Sequence, residues 1–275
     1  MVVTQGCKGF SIRRTTYKEA VILLLLLLFF ANRANSQTNI SNISKSNKQI
    51  SHEIFINVGG LIMNNLDIQY SGEQLLNSKV TLAPLIELGY YQRIYKSWGI
   101  KIGAGGNIIS YNTNFSFTIE EGNLMAGNRV DNDNEYFIKN YNLFFLVNKQ
   151  FLLKTKLLLN IELGLQYNYV NKNSLPIRAR GYFYSQADSL AIEYYRFEIY
   201  HNNDKTDYLS LKGNINLKYR LTEKHNLSAG INFNYCADYV AKGYFWFYNL
   251  PWESSGTAKL GMNYIGLQIG YGFSF

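Results

Sequence analysis

The 275-residue chain carries 27 Lys+Arg against 19 Asp+Glu, a formal net charge of +8, with 23 Tyr and 17 Phe but only three Pro and two Cys. No run of Lys/Arg interleaved with aromatics is present, so nucleic acid is not an expected partner. No CxxC, HExxH or Cys/His cluster is present either, so neither a metal nor a cofactor is expected.

The chain opens with the features of an export signal. Lys8, Arg13, Arg14 and Lys18 form a positive segment, Ala20 to Phe30 is an unbroken apolar run, and Ala34-Asn35-Ser36 offers small residues where a signal peptidase reads. Cleavage before Gln37 is expected, with residues 1–36 as signal peptide. The apolar run is eleven residues long, short of the roughly 20 that a spanning helix needs. Removal of the signal leaves 22 basic against 18 acidic residues, so much of the basic charge belongs to export. Cys236 is then the only cysteine, and an internal disulfide is impossible.

Residues 37–50 are rich in Asn, Ser and Lys and read as a flexible leader on the periplasmic side. From residue 51 onward apolar side chains recur at every second position, the period of strands. The segments showing this are His52–Gly60, Val80–Tyr95, Trp98–Tyr111, Ile138–Phe151, Lys156–Val170, Tyr208–Leu221, Asn226–Asp238 and Thr257–Phe275. In Lys156–Val170, Leu157, Leu159, Ile161, Leu163, Leu165, Tyr167 and Tyr169 share one face, while Asn160, Glu162, Gln166 and Asn168 share the other. Such strands exceed the roughly 5 to 6 residues common in soluble sheets and suit a tilted transmembrane strand. Tyr90, Tyr91, Tyr95, Trp98, Phe151, Tyr167, Tyr169 and Tyr219 lie near predicted strand ends and are assigned to interfacial aromatic girdles.

Connections alternate in length. Short ones lie at Lys96-Ser97, Leu152–Thr155 and Thr222–His225, and long ones at Leu61–Lys79, Asn112–Phe137, Asn171–Asp207 and Tyr239–Gly256. Bacterial outer-membrane barrels have short periplasmic turns, long outer loops and an even strand number. An open sheet would leave unpaired edges in lipid, so closure is required. The fold class is therefore all-β: an eight-stranded antiparallel transmembrane β-barrel over residues 51–275. In the alternative, residues 175–200 supply two more membrane strands and make ten; Arg178, Arg180, Glu193 and Arg196 within them favour a hairpin above the membrane instead.

The last strand ends on Leu267, Ile269, Tyr271, Phe273 and Phe275 at alternate positions. This ending resembles the signal that the barrel-assembly machinery recognises in outer-membrane β-barrel proteins. With the Gln37 start and the Asn/Lys-rich composition, the chain is similar to small Bacteroidetes-type barrels, the porT-like and OmpA-like ones among them. The resemblance implies residence in the outer membrane of a Gram-negative cell, with lipid, lipopolysaccharide, the assembly machinery and other envelope proteins as partners. Through its porT-like side it also implies a part in a secretion or assembly machinery.

An eight-stranded barrel is just filled by its side chains, so a diffusion pore is not expected. Function then falls to the loops or to the outer wall, with envelope structure or surface binding through the long outer loops as the expected task. Tyr244-Phe245-Trp246-Phe247-Tyr248 and Trp252 offer aromatic contact area, and Arg178 and Arg180 could hold lipopolysaccharide phosphates. A lipid-modifying outer-membrane enzyme is the least favoured reading, and no catalytic residue is expected: His52 and His225 fall at the periplasmic rim, and His201 has Asp204 and Asp207 nearby but no adjacent serine, so a spatial neighbour such as Ser185 or Ser189 would be needed. Inside the barrel, inward parity places Glu87, Glu162 and Lys212 at similar mid-lumen heights, with Arg93, Lys101, Lys218 and Arg220 lower. Buried charges need partners, so Lys212 is expected to bridge to Glu87 or Glu162, and the remaining acid to take Asn, Tyr or a lower basic residue.

Overall fold

The computed structural model describes residues 52–63, 66–118, 129–171, 173, 175–184, 191–248 and 254–275. The expected signal segment with Ala34, Ser36 and Gln37, the leader, Ser185, Ser189 and Trp252 lie outside them. Thirteen strands follow in order: β1 His52–Met63, β2 Leu66–Gly72, β3 Thr81–Tyr95, β4 Trp98–Thr118, β5 Arg129–Lys154, β6 Leu157–Val170, β7 Ile177–Tyr184, β8 Ala191–His201, β9 Asp207–Arg220, β10 His225–Tyr235, β11 Ala241–Phe247, β12 Ser254–Leu260 and β13 Tyr264–Ser274.

Eight of these close into a barrel in the order β1-β13-β10-β9-β6-β5-β4-β3, every neighbour antiparallel. Closure is made by the first and last strands, with Ile54 opposite Phe273, Ile56 opposite Tyr271 and Val58 opposite Ile269. Register is fixed by the period of two, because a slip by one residue would turn every apolar side chain into the lumen. Leu82 is 73% exposed, Leu209 62% and Leu267 65%, and each sits in an alternating row of exposed apolar residues that runs around the wall. A belt of this extent is not sustained in water and is the surface a bilayer covers. No helix among the described residues is long and apolar enough to cross a membrane; the crossing is made by strands.

The other five strands form a second sheet, in the order β2-β12-β11-β8-β7, built from the long connections. The β7–β8 hairpin therefore belongs above the barrel and not in its wall, which excludes ten membrane strands. Three sequence expectations need correction. Thr257–Phe275 is not one strand: β12 pairs with β2 and β11, the chain breaks at residues 261–263, and only β13 enters the wall. Asn112–Phe137 is no loop where it is described, since β4 and β5 continue paired from Trp98↔Lys149 out to Thr118↔Arg129. Tyr91 is not a girdle residue: it is 3% exposed inside the lumen, because its neighbour Tyr90 takes the outward position.

The interior has two parts. Towards the short turns it is polar, lined by Glu53, Asn57, Lys101, Asn148, Asn160 and Glu162 among others. Towards the long connections it becomes an apolar core in which Leu61, Ile109, Tyr111 and Ile138 of the barrel strands meet Tyr195, Phe197 and Ile199 of β8 and Phe245 and Phe247 of β11. The extended β4–β5 arm packs on the same core through Phe115, whose ring centroid lies 4.6 Å from that of Tyr195 and 5.1 Å from that of Phe247.

Candidate functional site

Alternation along β11 divides its aromatic run. Phe245 and Phe247 are buried in the core, while Tyr244 and Trp246 face away from it and stack on one another, centroids 5.8 Å apart at 23°. The run is thus half core and half surface. Strand pairing sets what flanks the exposed pair: Tyr244 lies opposite Glu198 and Thr257, and Trp246 opposite Arg196 and Ser255. One strand further out, Arg178 lies opposite Glu198 and Arg180 opposite Arg196. The sheet thus brings Arg178, Arg180, Tyr244 and Trp246 onto one face.

Charges on this face are laced together. Arg196 donates two hydrogen bonds to the Glu193 carboxylate, at 2.7 Å each, and Arg180 lies 3.7 Å from Glu198. The Arg178 guanidinium sits 5.9 Å from the Tyr200 ring and that of Arg196 5.7 Å from Tyr248. The Tyr200 hydroxyl donates to Glu198 at 2.5 Å and, with the neighbouring arginines, holds that carboxyl below the usual range. Glu193 is lowered by its bonds from Arg196. The result is a semi-rigid plate of ring faces and guanidinium groups on an apolar core.

The lumen holds three tiers of ion pairs. Lys212 on β9 donates to Glu87 on β3 and, at 2.9 Å, to the Gln166 side chain. Glu162 on β6 accepts from Lys101 at 3.1 Å, from Asn148 at 3.0 Å and from Asn214 at 2.7 Å. Lys218 donates to both oxygens of Glu53 at 2.9 Å, and Asn226 adds a bond at 3.1 Å. Glu53 is the member that sequence reasoning missed; its inward parity on β1, opposite the outward Ile54, was the available signal.

Each lysine also lies near an aromatic ring: Lys101 4.1 Å from Phe55, Lys212 4.7 Å from Phe144 and Lys218 5.5 Å from Tyr91. The Phe55 and Phe144 rings in turn lie over glycines. A Cβ on Gly89 would come within 2.4 Å of Phe55 Cζ, and one on Gly103 within 2.5 Å of Phe144 Cζ. Between the lower tiers a cavity of about 20 Å³ remains, bordered by Glu53, Tyr91, Lys101, Glu162 and Lys218, room for roughly one water.

The histidines are dispersed. His52 and His225 sit at the short-turn rim, each sharing a 2.5 Å hydrogen bond with a tyrosine hydroxyl, that of Tyr90 and of Tyr271 respectively. They flank the end of β13, His52 stacking on Phe275 and His225 packing on Phe273. His201 closes β8 at the opposite end of the barrel. Leu267, Ile269, Tyr271, Phe273 and Phe275 all face outward on the wall.

No protein-family model matches the sequence, and no curated protein sequence does. Among solved structures the chain is similar to the outer membrane protein OprG from Pseudomonas aeruginosa, at 13% identity and TM-score 0.43, covering 82% of this chain and 97% of that one. A major outer membrane protein from Thermus thermophilus matches at 11% identity and TM-score 0.37, over 82% and 99% of the two chains. The outer membrane protease OmpT from Escherichia coli matches at 9% identity and TM-score 0.35, over 84% and 98%.

Proposed function

We propose that the protein is an outer-membrane barrel that binds ligands at the cell surface through the outward face of its five-stranded sheet. The observation that carries this reading is the stacked pair of exposed Tyr244 and half-buried Trp246, set on strands whose other face is locked into an apolar core. A barrel whose only task was to span would have no need to build a second sheet from three of its long connections, because each ordered residue costs roughly 1–2 kcal/mol of backbone entropy. Two stacked rings provide planar apolar area at little further entropic cost, suited to the C–H face of a sugar. Arg178 and Lys242 stand beside them for its acidic groups. Lipopolysaccharide is one such ligand, and the alternating belt with its terminal Phe275 supports insertion by the barrel-assembly machinery.

The test is a glycan array probed with the full protein in lipid nanodiscs. Tyr244→Ala combined with Trp246→Ala should cost about 2 kcal/mol or more if the pair is a binding hot spot, at least a tenfold loss of affinity. Unchanged binding by a correctly inserted double variant would remove the reading. The alternative implied by the porT-like resemblance, a secretion-machinery component, is separated from it by copurification of partner subunits.

A further inference from the structure

At the long-connection end and in the lumen, several lysines find carboxylates within the chain. Lys79 meets Asp133 at 2.5 Å, Lys205 meets Asp238 at 2.6 Å, and the three lumen lysines are paired as described. The short-turn rim of β4, β5 and β6 is built differently. Lys149 faces outward on β5, opposite Trp98 on β4 and Ile161 on β6. Its ammonium lies 4.4 Å from the Trp98 ring and 5.9 Å from that of Phe151. Lys96 stands in the adjacent β3–β4 turn, 5.0 Å from the Tyr95 ring. A backbone bond from Gln150 N–H to Ser97 carbonyl, 2.8 Å, ties β5 to that turn. Lys154 and Lys156 flank the β5–β6 turn beside them, both exposed. Among the described residues, no carboxylate forms an ion pair with any of these four lysines.

We propose that this rim is a binding site for the phosphate headgroups of anionic phospholipid in the leaflet that meets the short turns. Lysines grouped without internal carboxylates raise the local positive potential, which draws an anionic partner from outside the chain. The cluster sits level with Tyr95, Trp98 and Phe151, where an interfacial girdle meets headgroups. Lys149 follows the usual course of an interfacial lysine, its stem along the apolar wall and its ammonium at the ring and headgroup level. Glu223 in the β9–β10 turn is an exposed carboxylate at the same end but forms no ion pair with these lysines, while Asp133 and Asp238, also exposed, lie at the opposite end. This site is independent of the outer sheet and of any ligand there.

The experiment uses the full protein in nanodiscs of phosphatidylcholine doped with phosphatidylglycerol, read by native mass spectrometry of retained lipid and by the unfolding midpoint. Wild type should retain phosphatidylglycerol and gain stability as its share rises. Each lysine near an anionic surface contributes about fivefold in association, so Lys96→Gln with Lys149→Gln should weaken retention by more than tenfold. The charge-preserving pair Lys96→Arg with Lys149→Arg should restore it, and Lys79→Gln with Lys205→Gln at the other end should leave it intact. Equal retention of the two phospholipids by wild type, retention unchanged in the glutamine variant, or equal stabilisation by free inorganic phosphate would each overturn the proposal. Should the glutamine variant fail to insert, the phospholipid comparison on wild type still decides.

Discussion

Lys212 and Glu87 meet across the full width of the barrel. Their strands, β9 and β3, stand four steps apart around the ring in either direction, and both side chains are fully buried. The pair is a strut between opposite walls and belongs to neither of the local ladders that hold those walls together. Replacing Lys212 by Met leaves the buried Glu87 carboxylate without its charge partner and should destabilise the barrel by about 3–5 kcal/mol. Adding Glu87→Gln should recover much of that loss. Urea titration of the heat-modifiable gel shift measures both, and a single variant as stable as wild type would count against the strut.

The lumen glycines should be intolerant for a related reason. At Gly89 an added methyl would meet the Ile102 carbonyl oxygen and Phe55 Cζ, each at 2.4 Å. Gly89→Ala should therefore push the Phe55 ring away from Lys101, costing about 1–3 kcal/mol. Gly60, where a Cβ would meet nothing within 4 Å, should accept alanine with little change. Equal unfolding midpoints for the two variants would contradict this account.

Conductance is the third expectation. Three tiers of ion pairs occupy the lower lumen and an apolar core that includes Leu61, Ile109 and Tyr111 closes the upper part. In planar bilayers the purified protein should give no stable large channel, and reproducible nanosiemens openings would show that the plug yields.

Assembly should depend on the last residue. The Phe275 N–H donates to the His52 carbonyl at 3.2 Å and its ring stacks on His52, 5.8 Å between centroids. Deleting Phe275 removes both contacts together with the terminal aromatic that resembles an assembly signal, and should slow insertion. An unchanged time course of folded-band appearance would argue against recognition at that end.

The outer sheet carries a pH dependence. Glu193 and Glu198 are held below the ordinary carboxylate value, the first by Arg196 and the second by the Tyr200 hydroxyl with nearby arginines. A depressed folded value means that the stabilisation is present above the unfolded carboxylate range, near 4.5, and is lost as pH falls through the folded value. Hydrogen exchange in β7 and β8, corrected for intrinsic rate, should stay constant from pH 7 to 5 and accelerate below about 4 while the barrel strands remain protected. Loss of protection already between pH 7 and 5 would fall in the wrong window for these carboxylates and count against the account.

The alternation of residues determined a great deal by itself. Whether a side chain on a membrane strand meets lipid or lumen depends on parity, a local property, so Ile54, Ile56 and Val58 facing out and Glu87, Glu162 and Lys212 facing in follow from spacing alone. Spacing favoured eight wall strands, but only the sheet topology excluded ten, by placing β7 and β8 in the second sheet. Parity also forbids Tyr90 and Tyr91 from sharing a girdle; the register shift between Arg93 and Tyr95 then returns Tyr95 to the outside.

Partners across space were decided only by the tertiary structure. Lys212 reaches Glu87 rather than Glu162 because ring closure sets strand β3 opposite β9, and Lys101 on β4 then serves Glu162 two strands away. The five-stranded sheet draws its strands from three separate connections, and its pairings join residues as distant in sequence as Gln69 and Thr257. Local pattern carries no record of such contacts, since an edge strand in a loop alternates like any other until a partner covers one face. The same dependence splits the aromatic run, for it is the apolar core behind β11 that buries Phe245 and Phe247 and leaves Tyr244 and Trp246 to the surface.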